Sequence, residues 1–324
     1  MTSFRAIAFA VPALITTAVL SSPASAQAYP NKPIRFIAGG AGSPADMRVR
    51  QVAEKFRESL GQAVIVDNRP GANGAIGARL AAKAPPDGYT LFNCTSVNGL
   101  NDLLNPDPAA RLNNELAPVT RLTLGFPILA VHPSIPAASM QEFVALAKAK
   151  PGALTYGASS QGSTIHLLGE LLKAKAGINI RGIAYKFSAA EIPDVLGGHI
   201  NGTFNYYNIL GPHIVSGKLR ALAIASAKRL QAAPDIVTMG EAGLPGVEAT
   251  GWNGICVPAG VPQPLIDILH RETVKALNDP VIRNQIMETG ATAGGERPDE
   301  FAAFIRAEVA KWGKVIKDSG ISGQ

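Results

Sequence analysis

The chain has 324 residues, with 30 lysines and arginines against 24 aspartates and glutamates, a formal net charge of +6 and 47% hydrophobic residues. The basic residues are scattered, without a like-charge block or an arginine–aromatic ladder, which argues against a nucleic-acid surface. The two cysteines, Cys94 and Cys256, are too few for a disulfide scaffold and lack metal-ligand spacing.

Residues 1–28, MTSFRAIAFAVPALITTAVLSSPASAQA, carry one early charge at Arg5, an apolar stretch and small residues ending at Ala26 and Ala28. This pattern reads as a secretory signal peptide, and the apolar stretch is too short for a spanning helix. A soluble, exported protein of the periplasm is expected. Next, the strand-like IRFIA runs into GGAGSPADMRVRQVAEKF. Ser43 suits an N-cap, Pro44 the first helical position and Asp46 the capping-box acid, while Gly61 is a natural stop. The free amides and positive end of such a helix attract anions. Asp46 is expected to turn back onto the helix start, because its charge would repel an anion there.

Strand-like and helical stretches then alternate: AVIVDN, AIGARLAAKA, DGYTLFNCTS, FPILAVHP, SMQEFVALAKAK, LTYGAS, STIHLLGELLKAKAG, RGIAYKF, AAEIPDVLGG, LRALAIAS, TGWNGICVP and two long C-terminal helices. That order implies α/β layers with mostly parallel sheets. Both cysteines lie in apolar strand-like runs; two buried thiols are the first expectation, and one disulfide in an oxidising compartment is the alternative. With no long linker, two lobes require the chain to cross twice. The candidate crossings, LGFPILAVHP and EATGWNGICVP, place residues 29–126 with 252–324 in one lobe and 127–251 in the other. A second anion-site candidate is LTYGASSQGSTIHLLGELLK, where Ser159, Ser160, Ser163 and Thr164 supply hydroxyls beside a helix start.

Chemistry is poorly represented. Ser163 and His166 are neighbours on one helix face, but GASSQG is not a G-x-S-x-G elbow and no aspartate is placed to orient the histidine. GANGAIG spaces its glycines G-x-x-G-x-x-G, which is not the dinucleotide fingerprint. His132, His199, His213 and His270 have no metal-like spacing. No cofactor and no metal is expected. The competing reading is an exported α/β enzyme acting on a small organic acid.

The blocks YPNKPIRFI, LGQAVIVDNRPGANGAIGARLAAKAPPDGYTL, KPGALTYGASSQGSTIHLLGELLK, GPHIVSGKLRALAIASAKR and EAGLPGVEATGWNGICVPAGVP resemble the Bug-type substrate-binding proteins of tripartite tricarboxylate transport systems. The resemblance covers nearly all of the chain after the leader. It implies a two-lobed type II periplasmic binding fold, a Venus flytrap, that closes as a monomer over a mono- or dicarboxylate, including aromatic diacids. Membrane transporter subunits, or a sensor protein, are the implied partners. The implied ligand residues are Gly40, Gly42, Ser43, Ala45 and Ser96 on one side. On the other they are Ser159, Gln161, Gly162, Ser163, Thr164, His166, Tyr185, Phe187, Asn205 and Tyr206. Asn205 stands where the family carries an aspartate, so it offers no charge to an ammonium group and disfavours an amino-acid ligand. Phe187, Tyr206, Tyr207 and Trp252 are candidates for an aromatic wall or for packing. DNRPGANG is expected to be structural, with Arg69 bracing the loop.

Overall fold

The computed structural model describes residues 29–104, 112–158, 162–185 and 190–320. The leader expected over residues 1–28 lies outside them. The first half of the chain lays down β1 (Ile34–Ala38), α1 (Pro44–Leu60), β2 (Val64–Asn68), α2 (Ala75–Ala82), β3 (Thr90–Thr95), α3 (Ser96–Leu104), α4 (Leu112–Glu115) and β4 (Leu116–Gly125). Then come β5 (Pro127–Val131), α5 (Met140–Ala149), β6 (Thr155–Ala158), α6 (Thr164–Ala176), β7 (Arg181–Ala184), α7 (Ile192–Leu196), β8 (Gly202–Tyr206), α8 (Tyr207–Val215) and β9 (Arg220–Ile224). The chain closes with β10 (Gly251–Pro258), α9 (Gln263–Leu277), α10 (Pro280–Glu288), β11 (Ala291–Ala293) and α11 (Pro298–Ser319).

The strands form two mixed sheets, ordered β11-β4-β10-β3-β1-β2 and β7-β6-β8-β5-β9. The parallel pairing expected from the alternating pattern holds where a helix carries the chain back over the sheet, as in β2-β1-β3 and β7-β6-β8. Antiparallel pairing enters with β10 and β5, the strands that arrive from the other sheet, and with the short edge strand β11 on β4. The chain passes between the sheets at Phe126 and again between β9 and β10.

Both crossings are glycine-bearing for a steric reason. Gly125 and Gly251 are partners across β4 and β10. The Tyr206 ring lies over them: a Cβ at Gly125 would come within 3.3 Å of it, and one at Gly251 within 2.1 Å of its hydroxyl. Burial pushes the Tyr206 pKa upward. Tyr206 is therefore packing between the crossings.

Cys94 and Cys256 form a disulfide with 5.9 Å between Cα atoms. This corrects the first expectation of two thiols. The cysteines are far apart in sequence, and only the β3–β10 pairing, with Gly254 opposite Cys94 and Cys256 opposite Phe92, makes them diagonal neighbours.

α11 is shared between two cores. Its first half buries Phe301 and Ile305 with Trp252 and Phe92, against the larger sheet. Further along, Trp312 is buried with Leu168 and Leu172 of α6 and Phe204 of β8, in the core of the other sheet. Glu308 on the same helix accepts from Trp312 Nε1 at 3.1 Å and from Thr250 Oγ1, just before β10, at 3.0 Å.

Candidate functional site

Two helix starts repeat one local design. Before α1, Gly42 has φ +76° and Ser43 is the N-cap, its Oγ accepting from Asp46 N at 3.2 Å. Before α6, Gly162 has φ +75° and Ser163 is the N-cap, its Oγ accepting from His166 N at 3.3 Å. In each case the third helical residue reaches back to the glycine amide. Gly42 N donates to Asp46 Oδ2 at 2.9 Å, and Gly162 N donates to His166 Nδ1 at 3.1 Å. The left-handed glycine turns its amide toward the helix so that this bond can close. The shared G-S-x-x-acceptor pattern stands in GSPAD and GSTIH, too short to register as a repeat.

The two acceptors differ in charge. Burial works against the Asp46 carboxylate, yet hydrogen bonds from Asn68, Gly42 and Arg50 hold its pKa below the ordinary value. Arg50 Nε stands 3.0 Å from Asp46 Oδ2, and Asn68 Nδ2 donates to both Asp46 Oδ1 and Gly39 O. As expected, Asp46 turns back, and its charge is balanced. His166 accepts through Nδ1, and burial is the main force holding its pKa below 6.5, with Lys173 adding to it and Glu170 opposing it.

What remains at each start is backbone. Gly42 N is taken by Asp46, and Ser43 N donates to Gly40 O at 3.3 Å. Among the described residues the amides of Gly40 and Ala45 keep no partner. A Cβ on Gly39, Gly40 or Gly42 would meet nothing within 4 Å, so the loop borders open space.

The two sides touch beside these loops. Thr164 Oγ1 donates to Ser96 Oγ, at the start of α3, at 3.4 Å. A Cβ on Gly162 would fall 2.1 Å from Leu104 Cδ1, so α6 begins pressed against α3. Because β3 and β1 are parallel neighbours, Ser96 opens on the same sheet edge as the Gly42 loop.

The other expected residues divide. Tyr185 Oη donates to Asp194 at 2.6 Å, and burial, with this bond, pushes its pKa up to about 12. Asn205 is buried; its Nδ2 donates to Glu191 Oε1 at 2.6 Å and its Oδ1 accepts from Tyr206 N. A buried acid, Glu191, thus stands directly behind Asn205. Trp252 is core, edge-on to Phe301 and Phe304. Tyr207 packs where Cβ atoms on Gly290 and Gly211 would clash with it. Ser159, Gln161 and Phe187 lie outside the described residues.

DNRPGANG is tied into the fold by its own bonds. Gly71, Ala72, Asn73 and Gly74 all have positive φ, which is costly at the two non-glycine positions. Asn101 Nδ2 donates to Asn73 O at 3.0 Å. Asn98 Nδ2 donates to Asn73 O at 3.5 Å, which ties the same turn to the start of α3, while its Oδ1 accepts from Thr95 N and Oγ1 at the end of β3. Arg69 pairs with Asp67 at 2.8 Å and its amide donates to Ala38 O. Asn68, Asn98, Asn101 and Glu191 escaped the sequence reading because single asparagines and acids carry no local pattern; their partners are long-range.

Among the described residues no helix is long and apolar enough to cross a membrane, and no group of three or more His, Cys, Asp or Glu could hold a metal. Residues 48–321 match the family described as tripartite tricarboxylate transporter family receptor. Protein BugT of Bordetella pertussis is 34% identical over 311 residues, spanning 94% of this chain and 95% of that protein. A Rhodopseudomonas palustris protein solved with adipate superposes with a TM-score of 0.81 at 30% identity, covering 91% of this chain and 100% of that one. MatC from the same organism, solved with bound malate, superposes at 0.77 with 25% identity, over 89% of this chain and 100% of that one.

Proposed function

The chain belongs to the tripartite tricarboxylate transporter receptor family, whose members are solute receptors rather than enzymes, and from that premise we propose that it captures a small organic acid in the periplasm and delivers it to a tripartite membrane transporter. The observation that carries this reading is the pair of matching helix starts, each from one sheet. Helix-start amides are suited to a carboxylate. Gly40, Ala45, Thr164 and their neighbours would hold the ligand mainly through backbone groups. Solved relatives that hold adipate and malate support the ligand class. With Trp252 in the core and Tyr206 between the crossings, an aliphatic acid suits the site better than an aromatic one.

Calorimetric titration of the leader-free protein against aliphatic and aromatic mono- and dicarboxylates tests the reading. One-to-one reversible binding of at least one acid, recovered chemically unchanged from a monomer, is expected. A ligand converted to product would instead favour the enzyme reading. At a hundredfold excess over Kd, bound ligand should raise stability by about 2.7 kcal/mol.

A further inference from the structure

Glu191 is 1% exposed, yet no ion pair among the described residues includes it. Its backbone occupies the position before α7, but its side chain does not cap that helix. The side chain lies instead across β6, where a Cβ on Gly157 would fall 2.6 Å from its Cγ. Glycine at 157 is the space in which this acid rests. Oε1 accepts from Asn205 Nδ2 at 2.6 Å and from Thr203 Oγ1 at 3.1 Å. Oε2 is buried without any hydrogen-bond partner. Leaving a buried carboxyl oxygen unpaired is costly, so each such atom in a folded protein calls for a reason, and a partner that arrives on binding is one. Gly157 and Asn205 lie at the C-terminal ends of the parallel strands β6 and β8, the edge from which α6 starts.

We propose that Glu191 Oε2 is a specificity-determining acceptor for an N–H or O–H donor on the ligand, so that the site selects amino- or hydroxy-substituted carboxylic acids over unsubstituted ones. This deepens the carboxylate-receptor reading and rests on it. The helix-start amides take the carboxylates, and the buried acid takes the one group that distinguishes otherwise equal chains. Asn205 and Thr203 fix the carboxyl by occupying Oε1, which leaves Oε2 as the oxygen with acceptor capacity to spare.

Two matched series separate the chemistry: succinate, malate and aspartate at four carbons, and adipate, 2-hydroxyadipate and 2-aminoadipate at six. In the wild-type protein, a donor-bearing acid should bind at least tenfold more tightly than its unsubstituted parent. Comparing the hydroxy with the amino member tells which donor the site prefers. Glu191→Gln presents an amide N–H where Oε2 stood; it should bring that ratio to within about twofold of unity. Equal wild-type affinity across a binding series would overturn the proposal and leave the receptor reading standing. A preference that persists in Glu191→Gln would also overturn it. Absence of binding to every acid in both series, and to the broader panel, would remove the receptor reading itself. Should the variant fail to fold, the wild-type ratio still decides.

Discussion

Gly40 offers a direct test of the first loop. A side chain there would enter open space, and its backbone is not left-handed, unlike Gly42 at φ +76°. Gly40→Val should therefore keep the melting temperature within about 2 °C of wild type. If the Gly40 amide holds a carboxylate, the same variant should lose at least tenfold in affinity, about 1.4 kcal/mol. Calorimetry and melting on one preparation check both. His166 makes the second loop sensitive to acid. Its folded pKa lies below 6.5, so the unfolded chain takes up a proton first as pH falls. Stability should be unaffected above about pH 6.5 and decline below it, until the folded protein also protonates. Protonation turns Nδ1 into a donor facing Gly162 N, and the bond is lost. His166→Asn, which keeps an acceptor much as Asp46 does in α1, should flatten this part of the melting-temperature profile. A slope between pH 7 and 5.5 equal to that of wild type would count against His166 as its source. Asp46, Asp67 and Asp279 have lowered pKa values, so their contributions disappear only as pH falls through those values, below 3.8, and stay outside this window.

At the scale of elements, the disulfide joins strands that already pair, across a sequence separation of 162 residues. Loop-closure arguments give a tie of that span a large share of its effect through the unfolded chain. Cys94→Ala with Cys256→Ala should cost about 2–5 kcal/mol in denaturant unfolding while leaving ligand affinity within twofold. The helix starts were legible from sequence because caps are local: Ser43, Pro44 and Gly61 sit as read, and Ser163 and Gly177 bound α6 likewise. β4, α3, α8 and α10 were not read as elements. α3 begins in SVNGLN, where glycine and two asparagines look like a loop; tertiary contacts through Asn98 and Asn101 override that preference. The two crossings were visible as glycine-bearing extended runs, but the ring that makes those glycines necessary comes from Tyr206, distant from both in sequence.

For the molecule as a whole, the contacts Thr164–Ser96 and Gly162–Leu104 join α6 of one side to α3 of the other. Saturating ligand should lower the radius of gyration in solution scattering, as hinge closure does. An unchanged radius would mean a rigid site. The movement is not free to follow the two strand crossings alone, because α11 anchors Phe301 in one core and Trp312 in the other. That helix therefore couples the two cores, and between them its Glu308 holds Thr250 at the crossing. Strain imposed at the far C-terminus would be transmitted to the α3–α6 junction, some distance from where it was applied. A fluorophore on exposed Lys314 would report ligand capture remotely, and a bulky fusion clamped to the same turn would shift affinity without touching the pocket.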